Sequence, residues 1–247
     1  MGDREQTMRN TAVFRGIFYA LGLLTLALGL MINTKTGLGL SPISSVAYST
    51  SVYLGSNFGN TTFVLYIIFV IVQMILHVIR WRQREKAEPE ELAHAGKMDL
   101  RLTLLADLLQ IPLSMVFTRF LNLFSAVLPE ISGKAFPVRI LWLCLAIVLT
   151  GIGAAVSLNM RLIPNPGDGI VQAIADCIHK SVGFTKNCFD LLNICITLTI
   201  SLVLIGEITG IGLGTVLAVI GVGRVIAVFN HFLQKPMGDL AGIKYGI

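Results

Sequence analysis

SPISSVAYSTSVYL, residues 41–54, and PGDGIVQAIADCIH, residues 166–179, decide how this chain folds. Both are largely apolar, yet about 14 residues of helix rise only about 21 Å at 1.5 Å per residue. A hydrocarbon core needs about 20 residues, so neither stretch is long enough to span one. Each has a proline preceded by a good helix-starting residue, Ser41 before Pro42 and Asn165 before Pro166. Proline at the first helical position wastes no donor, because the first N–H groups lack an intrahelical acceptor. Each also follows a bend, TGLGLSP (36–42) and RLIPNPGDG (161–169).

Around these two stretches lie six longer apolar runs, at roughly 12–33, 60–80, 102–127, 137–158, 185–206 and 210–232, each long enough to span. The composition agrees. Of 247 residues, 54% are hydrophobic and 13% charged, with a mean hydropathy of +0.77. Soluble domains run nearer a quarter charged. The net charge of +5 would suit nucleic acid, but the basic residues flank apolar runs as membrane loops do, so nucleic acid is not an expected partner. The polar start MGDREQTMRN leads into an apolar run without a small-residue cleavage site, read as a helix and not as a signal peptide. Cys144, Cys177, Cys188 and Cys195 form no CxxC pair and are read as small hydrophobes. No metal and no cofactor is expected.

Charge tests whether the short stretches cross. If neither does, one side collects Arg4, Arg9, Arg15, Arg80, Arg82, Arg84, Lys86, Lys97, Arg101, Arg161, Lys180, Lys186, Lys235 and Lys244. The other holds Lys35, Lys134 and Arg139. That asymmetry predicts both termini cytoplasmic. If both crossed, the basic loop at 81–101 would lie opposite the N-terminus. The expectation is therefore an all-α membrane protein with about six transmembrane helices and two short re-entrant helices.

Sliding the chain by 124 residues pairs Arg15 with Arg139, Gly29 with Gly153, Pro42 with Pro166, Gly59 with Gly183 and Thr61 with Thr185. The matches fall on punctuation. Both halves read long helix, bend, short helix, long helix, long helix. Three spans per half is an odd number, so the halves are expected as inverted-topology repeats. The expected divisions are an N-terminal segment 1–11, a first repeat 12–128, a second repeat 136–234 and a tail 235–247.

Irregular backbone at membrane depth survives only inside protein or along a water-filled cavity. The two bends are therefore expected to converge, bringing two helix N-termini with their positive dipole ends to one site. The alternative is that they only let two segments dip and pack. Asp168, Gln172 and Asp176 form a polar stripe at i, i+4, i+8, matched in the first half by Ser44, Tyr48 and Val52. Asp168 would equally serve as a first-turn complement to the helix dipole. Inside the long runs stand Asp107, Arg119, Asp190 and Arg224, either ion-paired or on a substrate path. Asp190, flanked by Asn187 and Asn193, and Arg224 are the better site candidates. The expected binding residues are Ser41, Ser44, Tyr48, Asn165, Asp168, Gln172, Asp190 and Arg224. His77 and His231 are read as interfacial. No G-x-S-x-G, H-E-x-x-H or P-loop occurs, and an enzyme is not expected.

TGLGLSPISSVAYSTSVYLGSNFGNTTF, LIPNPGDGIVQAIADCIHKSVGFTKNCFDLLN and LLQIPLSMVFTRFLNLF resemble the bacterial YczE/YitT-like membrane proteins over roughly residues 14–232. The resemblance implies a multi-pass protein of the bacterial cytoplasmic membrane and brings no settled activity. The leading expectation is a small secondary transporter or channel for a small polar or anionic solute, bound near the bilayer midplane. The rival is a non-transporting regulatory or assembly protein with a structural polar interior. The expected partners are a small-molecule or ion substrate and the lipid bilayer, and a homo-oligomer is compatible with either reading.

Overall fold

A computed structural model describes residues 2–85 and 99–243, with side chains from residue 11 onward. Lys86, Lys97 and Lys244, and the 86–98 part of the basic loop, lie outside the described residues.

The described residues form eight helices and no strand. In order they are α1 (Gly2–Thr36), α2 (Pro42–Leu54), α3 (Phe58–Glu85), α4 (Leu100–Val127), α5 (Phe136–Asn159), α6 (Pro166–Ile178), α7 (Val182–Thr199) and α8 (Leu213–Leu240). Six are long and apolar enough to cross a membrane: α1 from Thr11, α3, α4, α5, α7 extended to Ile205, and α8. This is the architecture of a multi-pass membrane protein.

The two short helices are both 13 residues, and each opens at its proline. Asn165 caps α6 by accepting from Gly167 N–H at 3.0 Å, whereas Ser41 makes no such bond to α2. Gly55 ends α2 in the left-handed region at φ 61, as His179 ends α6 at φ 54. Between α1 and α2, Gly37 (φ 62) and Gly39 (φ 108) supply a turn that residues with a Cβ rarely make.

The most extensive contact in the fold is α1 against α5. It is close because both carry small residues: a Cβ added at Gly29 would stand 2.6 Å from Thr150 N. The ends of the pair are tied by two arginines. Arg15 donates through Nε to Met160 O at 2.6 Å and through Nη2 to Arg161 O at 2.7 Å. Arg139 donates likewise to Thr36 O at 2.8 Å and Gly37 O at 3.0 Å. Each guanidinium thus meets carbonyls that a helix end leaves without partners. Arg139 near the start of α5 reaches the end of α1, and Arg15 in the first half of α1 reaches the end of α5, so the two helices run antiparallel. Around this pair α2 packs on α7, α6 packs on α3, α4 packs on α3, and α8 packs on α5.

Two departures from the sequence reading concern helix ends. The last helix extends to Leu240, past Pro236 and past the apolar run expected at 210–232. Met237, Ala241 and Ile243 bury against Tyr19 and Met160, which offsets the one backbone bond the proline removes. The fifth run leaves α7 through a π-helical turn, Ile200–Ile205, closed by Gly206 at φ 91. Ser201 in that turn is fully buried and bonds Thr209 O at 3.1 Å, a tertiary contact that hydropathy does not carry.

Candidate functional site

The N-terminal turns of α2 and α6 open into one cavity of about 230 Å³. Ser41, Pro42, Ile43 and Ser44 line it from α2, and Asn165, Gly167 and Asp168 from α6. The two turns lie side by side: a Cβ added at Gly167 would rest in ordinary contact with Ile43 at 3.4 Å. The remaining walls come from α1 (Leu26, Leu30), α3 (Tyr66), α5 (Thr150, Ala154, Leu158), α7 (Lys186, Asp190) and α8 (Ala218, Val219, Val222, Gly223 and Ile226). A second cavity of about 300 Å³ shares Leu26, Ala154, Leu158, Asn165 and Asp168 with the first and reaches the exposed Arg161 and Leu162.

The charged groups lining the first cavity, among the described residues, are Asp168, Lys186 and Asp190. Asp168 is accessible from the cavity. Its position in the first turn of α6 suits the helix dipole, but capping is done by Asn165. Asp190 is 8% exposed. Its Oδ2 stands 3.4 Å from Lys186 Nζ, while its buried Oδ1 has no hydrogen-bond partner among the described residues. Asn193 is spent inside α7 on Phe189 O at 2.7 Å, and Asn187 is exposed. An acceptor left unmet at depth is costly unless a donor arrives.

Of the eight expected binding residues, five line this cavity: Ser41, Ser44, Asn165, Asp168 and Asp190. Three lie elsewhere. Tyr48 stacks edge-on against Phe58 with ring centroids 6.2 Å apart. Gln172 donates to Asp176 at 2.9 Å, and Asp176 is ion-paired with Arg80 on α3. The 168–172–176 stripe is therefore divided, its first member in the cavity and the other two tied to α3. Arg224 is exposed on α8 and lines neither cavity. Arg119 is also exposed. Neither arginine pairs with Asp107 or Asp190, so the pairing of acids with bases inside the spans takes another form.

That form centres on Asp107, which is 3% exposed on α4. It accepts from His77 Nδ1 at 2.7 Å, from Gln73, and from Gln110 at 3.4 Å. His77, read from sequence as interfacial, is instead part of this buried network. The spacing of Gln73 and His77, one helical turn apart on α3, was the available signal. Lys186 and Tyr66 were also missed, since nothing in a sequence states which face of α7 or α3 meets the α2 turn.

A helical, multi-pass membrane protein with a mainly apolar cavity, into which three charged residues face at two helix starts, is the class that this geometry defines. Residues 13–88 and 98–231 match the family described as Family of unknown function (DUF6198), and the chain belongs to it. It is similar to the Uncharacterized protein YyaS of Bacillus subtilis, 24% identical over 224 residues that cover 89% of this chain and 96% of the relative. An Uncharacterized protein of Haemophilus influenzae is likewise 24% identical, over 89% of this chain and 84% of the relative. No solved structure matches the chain.

Proposed function

We propose that the protein is a small secondary transporter or channel whose solute binds in the cavity framed by the α2 and α6 N-termini. The observation that carries the reading is the convergence of Ser41 and Ser44 with Asn165 and Asp168 in one cavity. These residues are more than 120 positions apart. A second cavity extends from the same Asp168 toward an exposed edge, which supplies the beginning of a path.

The same proposal makes the halves inverted repeats with α2 and α6 re-entrant. Three features support it. The reciprocal bonds of Arg15 and Arg139 connect positions offset by 124 in both donor and acceptor. The packing of α2 on α7 mirrors that of α6 on α3. Parity argues the same way: with α2 crossing, four helices would precede α5 and it would run parallel to α1, whereas the two are antiparallel. The charge asymmetry would then put both termini in the cytoplasm, and the YczE/YitT-like resemblance would place the chain in the bacterial cytoplasmic membrane.

The rival, a regulatory or assembly protein with a structural polar interior, draws on the internally paired network around Asp107. Solute uptake by reconstituted protein separates the two. The transport reading expects uptake that falls at least tenfold in Asp168→Asn and disappears in Gly223→Trp, whose ring would fill the cavity from α8. Uptake identical in wild type and both variants would favour the rival.

A further inference from the structure

Resting on that reading of the cavity, we infer that its ligand is a small zwitterion. Its ammonium group sits between Asp168 and Asp190, and its acidic group sits at the first turn of α2. Three observations carry this. Asp190 is deeply buried and holds Oδ1 without a donor, while Lys186 stands 3.4 Å from the other oxygen only. Asp168 is exposed and lines the same cavity. Asp190 Oδ1 is a buried acceptor without a donor among the described residues, the exposed Asp168 beside the same cavity is an acceptor free to take one, and an ammonium carries three donors.

The α2 turn has the opposite need. Ser41 turns its hydroxyl to Ser44 Oγ at 3.0 Å and does not cap the helix. The N–H groups of Ile43 and Ser44 have no acceptor among the described residues. At α6 the corresponding donors are already taken: Gly167 N–H by Asn165 Oδ1 at 3.0 Å and Asp168 N–H by Asn165 O at 2.9 Å. The site therefore has one donor-rich end and one acceptor-rich end. A helix start counts as roughly half a positive charge. Two carboxylates, one ammonium and the α2 end leave the cavity only slightly negative. A simple anion would meet both carboxylates, and a simple cation would leave the α2 donors unmet. A molecule bearing both charges satisfies each end.

The test uses the full chain in liposomes, with glycine and β-alanine as zwitterions, methanesulfonate as the anion and tetramethylammonium as the cation. At least one zwitterion should enter ten times faster than either ion and raise the unfolding midpoint of the purified protein. Asp190→Asn and Asp168→Asn should each slow that entry tenfold or more while the midpoint without ligand stays near wild type for Asp168→Asn. Methanesulfonate entry that matches or exceeds the zwitterions and is unslowed by Asp190→Asn would overturn the zwitterion assignment. If Gly223→Trp still blocked that entry, the cavity would stand as the site. Entry of every probe unchanged by Gly223→Trp would overturn both. Absence of entry and of any midpoint shift with all four probes would also overturn the zwitterion assignment.

Discussion

Arg15 and Arg139, 124 positions apart, each donate two hydrogen bonds to the carbonyls that end the other's helix. The atoms correspond as well: Nε takes the first carbonyl and Nη2 the next, with distances of 2.6 to 3.0 Å. A planar fork that reaches two successive carbonyls is a property of guanidinium that an ammonium lacks. The proposed repeat accounts for the same offset of 124 appearing in donors and acceptors.

The first expected outcome follows from this symmetry. Arg15→Ala and Arg139→Ala should each cost about 1.5–3 kcal/mol, the range for hydrogen bonds to a charged group. The two losses should be similar, and lysine at either position should restore less than half. Unfolding midpoints in detergent check this, and a large loss at one position with none at the other would contradict it.

Asp107 supports a prediction about stability alone. Asp107→Leu would leave the amides of Gln73 and Gln110 and the ring of His77 without their acceptor inside the fold. Leaving a buried donor without its acceptor costs about 1–3 kcal/mol. Asp107→Asn keeps an acceptor oxygen and should cost less. Uptake per folded molecule should stay near wild type in Asp107→Asn, measured in liposomes with the amount of folded protein as the reference.

The α1–α5 contact is equally specific. Gly29→Val should prevent folding or lower the midpoint steeply, since a Cβ there meets Thr150 N at 2.6 Å. Gly16→Ala on the same helix meets nothing within 4 Å and should stabilise by up to about 1 kcal/mol through helix propensity. Expression and unfolding of the two variants side by side check the contrast.

How much of this was readable in the chain differs between fold and site. The six long helices follow from apolar length, and the starts of α2 and α6 from Ser41-Pro42 and Asn165-Pro166, because those signals are local. The bends lead to the expectation that the Ser41-Pro42 and Asn165-Pro166 turns meet, the helical stripe points to Ser44 and Asp168, and the cost of a charge inside a span points to Asp190; all five line one cavity. Tyr48 and Gln172 were chosen by helical stripe alone, and a stripe does not say whether it meets a cavity or a neighbouring helix. Arg224 was chosen for its cost in lipid, about 3 kcal/mol at mid-span on insertion scales, which states a need for a partner and not its location. His77 and Lys186 depend on which faces of α3 and α7 turn inward, a tertiary outcome. The π-helical turn at 200–205 depends on Ser201 finding Thr209, again beyond the reach of local pattern.

Side-specific labelling distinguishes helices α2 and α6 that turn back within the membrane, in two inverted halves, from helices that cross it. With the four native cysteines replaced, single cysteines at Asn57 and Lys180, both exposed just beyond the ends of α2 and α6, would be challenged with an impermeant thiol reagent in sealed vesicles of known orientation. The account predicts that the two label from opposite sides. Labelling of both from the same side is the result expected if α2 and α6 cross, and it would contradict the account.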